Sequence, residues 1–116
     1  MNNKQLEDYI LKNIEPEILS MGFKKANWGF SYYLELAPKI SSYIDFAMEY
    51  ETNSAPESFP GRLFISLRVW NFKDHKSKYL FQGKTRSIHH NLGEELTEED
   101  VTELFNNLKE FLLEAE

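Results

Sequence analysis

Leu63-Phe64-Ile65-Ser66-Leu67-Arg68-Val69-Trp70 alternates for its whole length, with Leu63, Ile65, Leu67 and Val69 on one side and Phe64, Ser66, Arg68 and Trp70 on the other. A period of two is the pattern of a β-strand with one buried face, and the branched and aromatic side chains suit a pleated surface. Two similar runs precede it. In the first, Trp28, Phe30, Tyr32, Leu34 and Leu36 face inward, and Ser31, Tyr33 and Glu35 face outward, before Ala37-Pro38-Lys39 ends the strand. In the second, Ile44, Phe46, Met48 and Tyr50 oppose Tyr43, Asp45, Ala47 and Glu49. Residues Thr52 to Pro60 are polar with two prolines and read as a loop, which Phe59-Pro60-Gly61-Arg62 closes as a type II turn. A fourth strand is expected from Tyr79 to Gln82, with Gly83 turning the chain back through Thr85 to Ile88. The connections are short, which favours antiparallel pairing over helical crossovers.

Helices flank the strands. Leu6, Ile10, Ile14 and Ile18 recur at four-residue spacing across residues 3 to 21, beside Tyr9 and Met21. Pro16 lacks an N–H and crowds the carbonyl four residues back, so a kink or break is expected near Asn13. Gly22 is placed to cap this helix in the left-handed conformation. At the other end, Leu96-Thr97-Glu98-Glu99-Asp100-Val101 puts Thr97 at the N-cap, acids in the first turn and Leu96 and Val101 at staple positions. Val101, Leu104, Phe105, Leu108, Phe111 and Leu112 then make one apolar face. The expected fold is α+β: one antiparallel sheet of about four strands between an N-terminal helix kinked near Pro16 and a C-terminal helix, in the order α-β-β-β-(β)-α.

Composition narrows the function. With 116 residues, 41% of them apolar, the chain fits one domain that can bury roughly two-thirds of its unfolded surface without a metal or disulfide. No cysteine is present, which removes thiolate nucleophiles and cysteine-based zinc sites and suits a reducing compartment. The N-terminus has no apolar signal run and no stretch approaches a membrane span, so the expected location is the cytoplasm, without a membrane partner. A net charge of −6 argues against nucleic acid as partner. The charge is uneven: nine acids stand against Lys109 from Glu94 onward, and seven bases against Asp74 between Arg62 and Arg86. Folding either neutralises these segments against each other or displays them as two poles.

No catalytic constellation emerges. His75 lies in the polar Lys73-Asp74-His75-Lys76, and His89 and His90 are adjacent, so in a strand they point to opposite faces and cannot grip one ion. Asp45 with Asp74-His75-Lys76 matches the acid…acid-x-Lys spacing of metal-dependent nucleases, but Asp74 falls outside any strand pattern. Serine has no nucleophile-elbow context, and the five glycines form no phosphate-binding loop. The expectation is a non-enzyme with no cofactor, no metal site and no catalytic residue; a small metal-dependent nuclease or hydrolase is the least favoured alternative.

Binding has better support. With both helices on the face of Ile44, Phe46, Ile65 and Leu67, the opposite face shows Tyr33, Tyr43, Asp45, Glu49, Phe64, Arg68 and Trp70. Aromatics with arginine are enriched at protein interfaces, and these seven are the candidate partner-binding residues. A homodimer is compatible with the same surface, as is an acidic secretion-type chaperone. The exposed glutamates of the closing helix offer a second surface for a basic partner.

Ile18-Leu19-Ser20-Met21-Gly22-Phe23-Lys24-Lys25, followed by the aromatic strand Trp28–Leu36, resembles the opening of small bacterial domains of unknown function. Some of these resemble immunity proteins of polymorphic-toxin and contact-dependent inhibition systems. The resemblance implies non-catalytic neutralisation of a cognate toxin, a basic one if an acidic surface meets it. It transfers no binding residue, because such proteins share none.

Overall fold

The structure, a computed structural model, describes residues 1, 3–27, 29–50, 61–89 and 92–114. The elements run α1 (Asn3–Tyr9), a π-helical turn (Ile10–Ile14), α2 (Glu15–Ser20), β1 (Lys24–Lys25), β2 (Phe30–Ala37), β3 (Ile40–Tyr50), β4 (Gly61–Asn71), β5 (Lys76–Lys84) and α3 (Glu98–Glu114). The strands form one antiparallel sheet in sequential order, so the fold is α+β as the alternation implied. The strand added to the expected four is the two-residue β1, too short to carry a period of its own.

The break expected from Pro16 takes the form of a π turn. Proline cannot donate to the carbonyl four residues back, so the helix widens just before it, and Glu15 N–H bonds to Ile10 O. An α-helix turns about 100° per residue, so steps of four drift about 40° each. The wider turn drifts the other way. Leu6, Ile10, Ile14 and Ile18 thus stay on one line, and all four are buried. Gly22 ends α2 at φ +97°, with its N–H on Leu19 O at 3.1 Å.

At the start of α3 the Thr97 hydroxyl accepts the Asp100 N–H at 3.2 Å, and the Asp100 carboxylate accepts the Thr97 N–H at 3.0 Å. This reciprocal box satisfies two helix-end donors, and the buried pair Leu96 and Val101 staples the entry. Thr97→Ala is expected to cost about 1 kcal/mol, read as a lower thermal midpoint.

Both helical segments cover one sheet face. The buried stripe of α1, the π turn and α2 packs with Tyr32, Ile44, Leu63, Ile65 and Leu67, and with Val101, Leu104, Phe105 and Leu108 of α3. Helix meets helix through the Tyr9 and Thr102 hydroxyls and the Lys109–Glu17 ion pair at 3.1 Å. Against the sheet, α3 lies over Gly83 and Phe81, the latter packed at a tilt against Phe111 with ring centroids 5.4 Å apart.

Two expectations change here. Gly83 does not turn the chain: β5 runs straight through it, with Gly83 opposite Ile65, and continues to a bridge between Ile88 and Gly61. Leu36, expected inside, is 55% exposed, because the β2–β3 register shifts between Glu35 and Ala37. Tyr32 is wholly buried as expected. Burial, and secondly the charge of Glu15, pushes its phenol well upward, although no hydrogen bond of ordinary geometry joins the hydroxyl to any described group. Trp28 and the expected loop and turn within 51–60 lie outside the described residues.

The β2–β3 and β4–β5 turns lie at the same end, tied by Phe72 N–H on Lys39 O at 2.8 Å. Lys39 (φ +64°) and His75 (φ +54°) hold the left-handed turn positions there. The molecule is 47 Å long, and the helices stop short of this end: β5 is exposed from Lys76 through Leu80.

Candidate functional site

The face turned away from the helices follows from register. Ser31 pairs with Asp45, Tyr33 with Tyr43, Tyr43 with Arg68, Asp45 with Ser66, Ala47 with Phe64 and Ser41 with Trp70. Paired residues in an antiparallel sheet share a face. The sequence-derived candidates therefore sit on one surface. Glu49 shares it by backbone pairing with Arg62, but its side chain lies outside the described residues.

At its centre Asp45 is held by two donors. The Ser31 hydroxyl bonds to one carboxylate oxygen, and Arg68 Nε donates to the other at 3.0 Å. The pair is about three-quarters shielded from solvent. From there the guanidinium extends over the Tyr43 ring, 5.1 Å from its centroid, and Tyr43 in turn packs against Tyr33 at 6.2 Å. A cation over an aromatic face is an attractive geometry, and here it locks Arg68 between a carboxylate and a ring. Tyr43 itself is buried, contrary to the expectation that it would be on display. Its neighbours cover it, so it supports the surface from below.

Ser31, Ser41 and Ser66 are also buried on this face, small residues roofed by larger neighbours. Tyr43, Arg68, Trp70 and Phe72 surround a depression of about 230 Å³. Trp70 and Phe72 meet edge to face, with centroids 5.8 Å apart. Such a volume is below the usual range for a small-molecule pocket, and it fits one inserted side chain. Phe64 stands apart from the cluster, under the Lys84 ammonium at 5.6 Å.

Removing the carboxylate strands two partners at once. Asp45→Ala is expected to cost about 1–2 kcal/mol in urea denaturation, discounted for partial exposure, and to be non-additive with Arg68→Ala. Additive losses would show that the ion pair contributes nothing.

Ser31 and Phe72 were missed as site residues. Ser31 was legible, since alternation puts it on the face of Tyr33. Phe72 was not, because it follows the last strand residue and carries no period.

The acid…acid-x-Lys pattern does not assemble. Asp74 lies in the β4–β5 turn, where its carboxylate accepts from the Asn71 amide at 3.2 Å, while Asp45 is five residues along β3 from the Ile40–Asn71 pair. At about 3.3 Å per residue that is roughly 16 Å, too far to share one ion. Among the described residues no three of His, Asp and Glu converge. No described helix is long and apolar enough to cross a membrane.

Charge is neutralised at one end and displayed at the other. Arg86 joins α3, 3.6 Å from Asp100 and donating to Glu95 O at 3.0 Å. Lys39, Lys73, Lys76 and Lys78 cluster at the hairpin end with only Asp74 among the residues of the two turns and the start of β5 to offset them. Glu98, Glu99, Glu103 and Glu110 border a groove beside Tyr9 and Thr102.

In comparisons with known proteins, no family model, no curated protein and no solved structure matches the chain.

Proposed function

We propose that this chain is a non-catalytic protein-binding module that takes its partner on the helix-free face of the sheet, in the manner of an immunity protein occluding a toxin. One observation carries the reading: Arg68 is locked between Asp45 and Tyr43 beside a side-chain-sized depression walled by Trp70 and Phe72. A preorganised arginine and aromatic rim cost little entropy on association, which is how a few residues come to dominate an interface. The partner inserts one side chain there. A basic toxin domain would also be drawn by the chain's net charge of −6.

The test is co-expression with a toxin domain encoded beside this gene, scored by survival and by titration calorimetry. Wild type is expected to protect. Trp70→Glu, which places a charge at the rim of the depression without touching the helix-side core, is expected to abolish both protection and binding. Glu99→Lys on α3 would be without effect. Loss by Glu99→Lys and not by Trp70→Glu would move the site to the acidic helix.

A chaperone for a partner protein is the second reading, favoured by the exposed Leu36, Phe72, Tyr79 and Leu80 at the hairpin end. It predicts a dimer that binds an unfolded segment, so a monomeric solution mass with a folded client would count against it.

A further inference from the structure

β5 is a nine-residue edge strand, Lys76–Lys84, hydrogen-bonded to β4 on one side and to no described strand on the other. Its pairing with β4 carries one register shift, which leaves Leu80 without a partner between Tyr79 and Phe81. On the opposite edge, two-residue β1 covers part of β2, and the bulge at Glu35–Ala37 interrupts the remainder. Thr85 N–H bonds to Leu63 O at 2.9 Å, which fixes the alternation of the ladder. Gly83 and Phe81 therefore point their backbone groups at β4, and the N–H groups of Gln82 and Lys84 point outward. A free edge of this length is a template for one more strand.

The side chains along it select the occupant. Lys76 and Lys78 are paired with Asn71 and Val69, so they stand two residues apart on one face, and both are exposed. Among the described residues neither has an ion-pair partner. Tyr79 and Leu80 follow, 52% and 41% exposed. A second copy is a poor occupant, because β5 carries three lysines and no acid, so pairing two copies along it gathers like charges. We infer that β5 accepts an extended acidic segment of a partner protein as a sixth strand, with carboxylates at alternate positions facing Lys76 and Lys78. This goes beyond the sheet-face reading and uses none of its residues.

The probe is a short peptide alternating glutamate and threonine, titrated into the ¹⁵N-labelled chain and followed by amide shifts. The expected result is shifts confined to β5, largest at the outward amides of Gln82 and Lys84, weakening as salt is raised. Gln82→Pro removes one outward N–H without breaking a β4–β5 bond, and binding is expected to fall about tenfold. The double variant Lys76→Glu, Lys78→Glu is expected to lose the glutamate peptide and gain a lysine–threonine one. Retained thermal midpoints confirm that both variants fold. No binding by wild type overturns the inference, as does equal binding by Gln82→Pro, which would make the contact purely electrostatic. Equal shifts from oligothymidine would assign the lysines to nucleic acid instead. Shifts around Tyr43 and Trp70 would overturn the edge and leave the sheet-face reading standing.

Discussion

Phe105→Ala is expected to remove about 3–5 kcal/mol of stability, a large share of the total for a domain of this size. Phe105 is 2% exposed, midway along α3, inside the single core that both helical segments and the sheet share. Truncation loses the burial of the ring and leaves a cavity that cannot collapse easily, because rigid neighbours on the sheet side hold its walls. The outer edge of the ring also lies beneath the Lys109 ammonium, 5.3 Å from its centroid, and Lys109 in turn pairs with Glu17 of α2. Losing the ring therefore loosens the seam between α3 and α2 as well. Urea denaturation is the measurement: the midpoint falls sharply with little change in slope. A loss under about 1 kcal/mol would mean that α3 is not docked on the sheet.

The second large effect is at Gly83, and it arises from too much volume. A Cβ placed there would stand 3.0 Å from Leu104 Cδ1 and 3.2 Å and 3.3 Å from the Phe81 ring atoms Cε1 and Cζ. The Phe81 ring and α3 thus close over a strand position that has no side chain. Gly83→Ala gains roughly 0.5–1 kcal/mol in backbone entropy, and the crowding offsets it. Gly83→Val adds two methyl groups against Leu104 and Phe81, and is expected to lose about 2–3 kcal/mol. Leu104→Ala in the same chain should recover part of that loss, since each change makes room for the other. An additive double variant would rule out the close approach of helix and strand.

Gly83 also shows where sequence reading stops. In the sequence, a glycine after Tyr79–Gln82 reads as a turn, because turn and close approach are equally good uses of a missing Cβ. Only the position of α3, set by contacts twenty or so residues away, separates them. Phe72 is a similar case. It follows the last residue of β4, where the alternation has ended, yet the edge-to-face contact with Trp70 makes it a wall of the depression. Tyr43 was placed on the correct face but with the wrong exposure. Period gives the direction of a side chain, whereas burial depends on neighbours from β2 and β4.

The sequence by itself determined the class of fold and both helix ends. Alternation from Leu63 to Trp70 specified a one-sided strand, Thr97 with Asp100 specified the start of α3, Gly22 the end of α2, and Pro16 the break before it. These are local effects, written in residues close enough to interact before the chain folds. Tertiary structure alone decided which polar groups met. Ser31, Asp45 and Arg68 come from three strands, and their contact depends on a register that the whole sheet sets. It decided too that the basic segment splits, Arg86 joining the acidic helix while Lys76 and Lys78 stay on the open edge. Charge in a sequence has sign and spacing but no position, and position is what packing supplies.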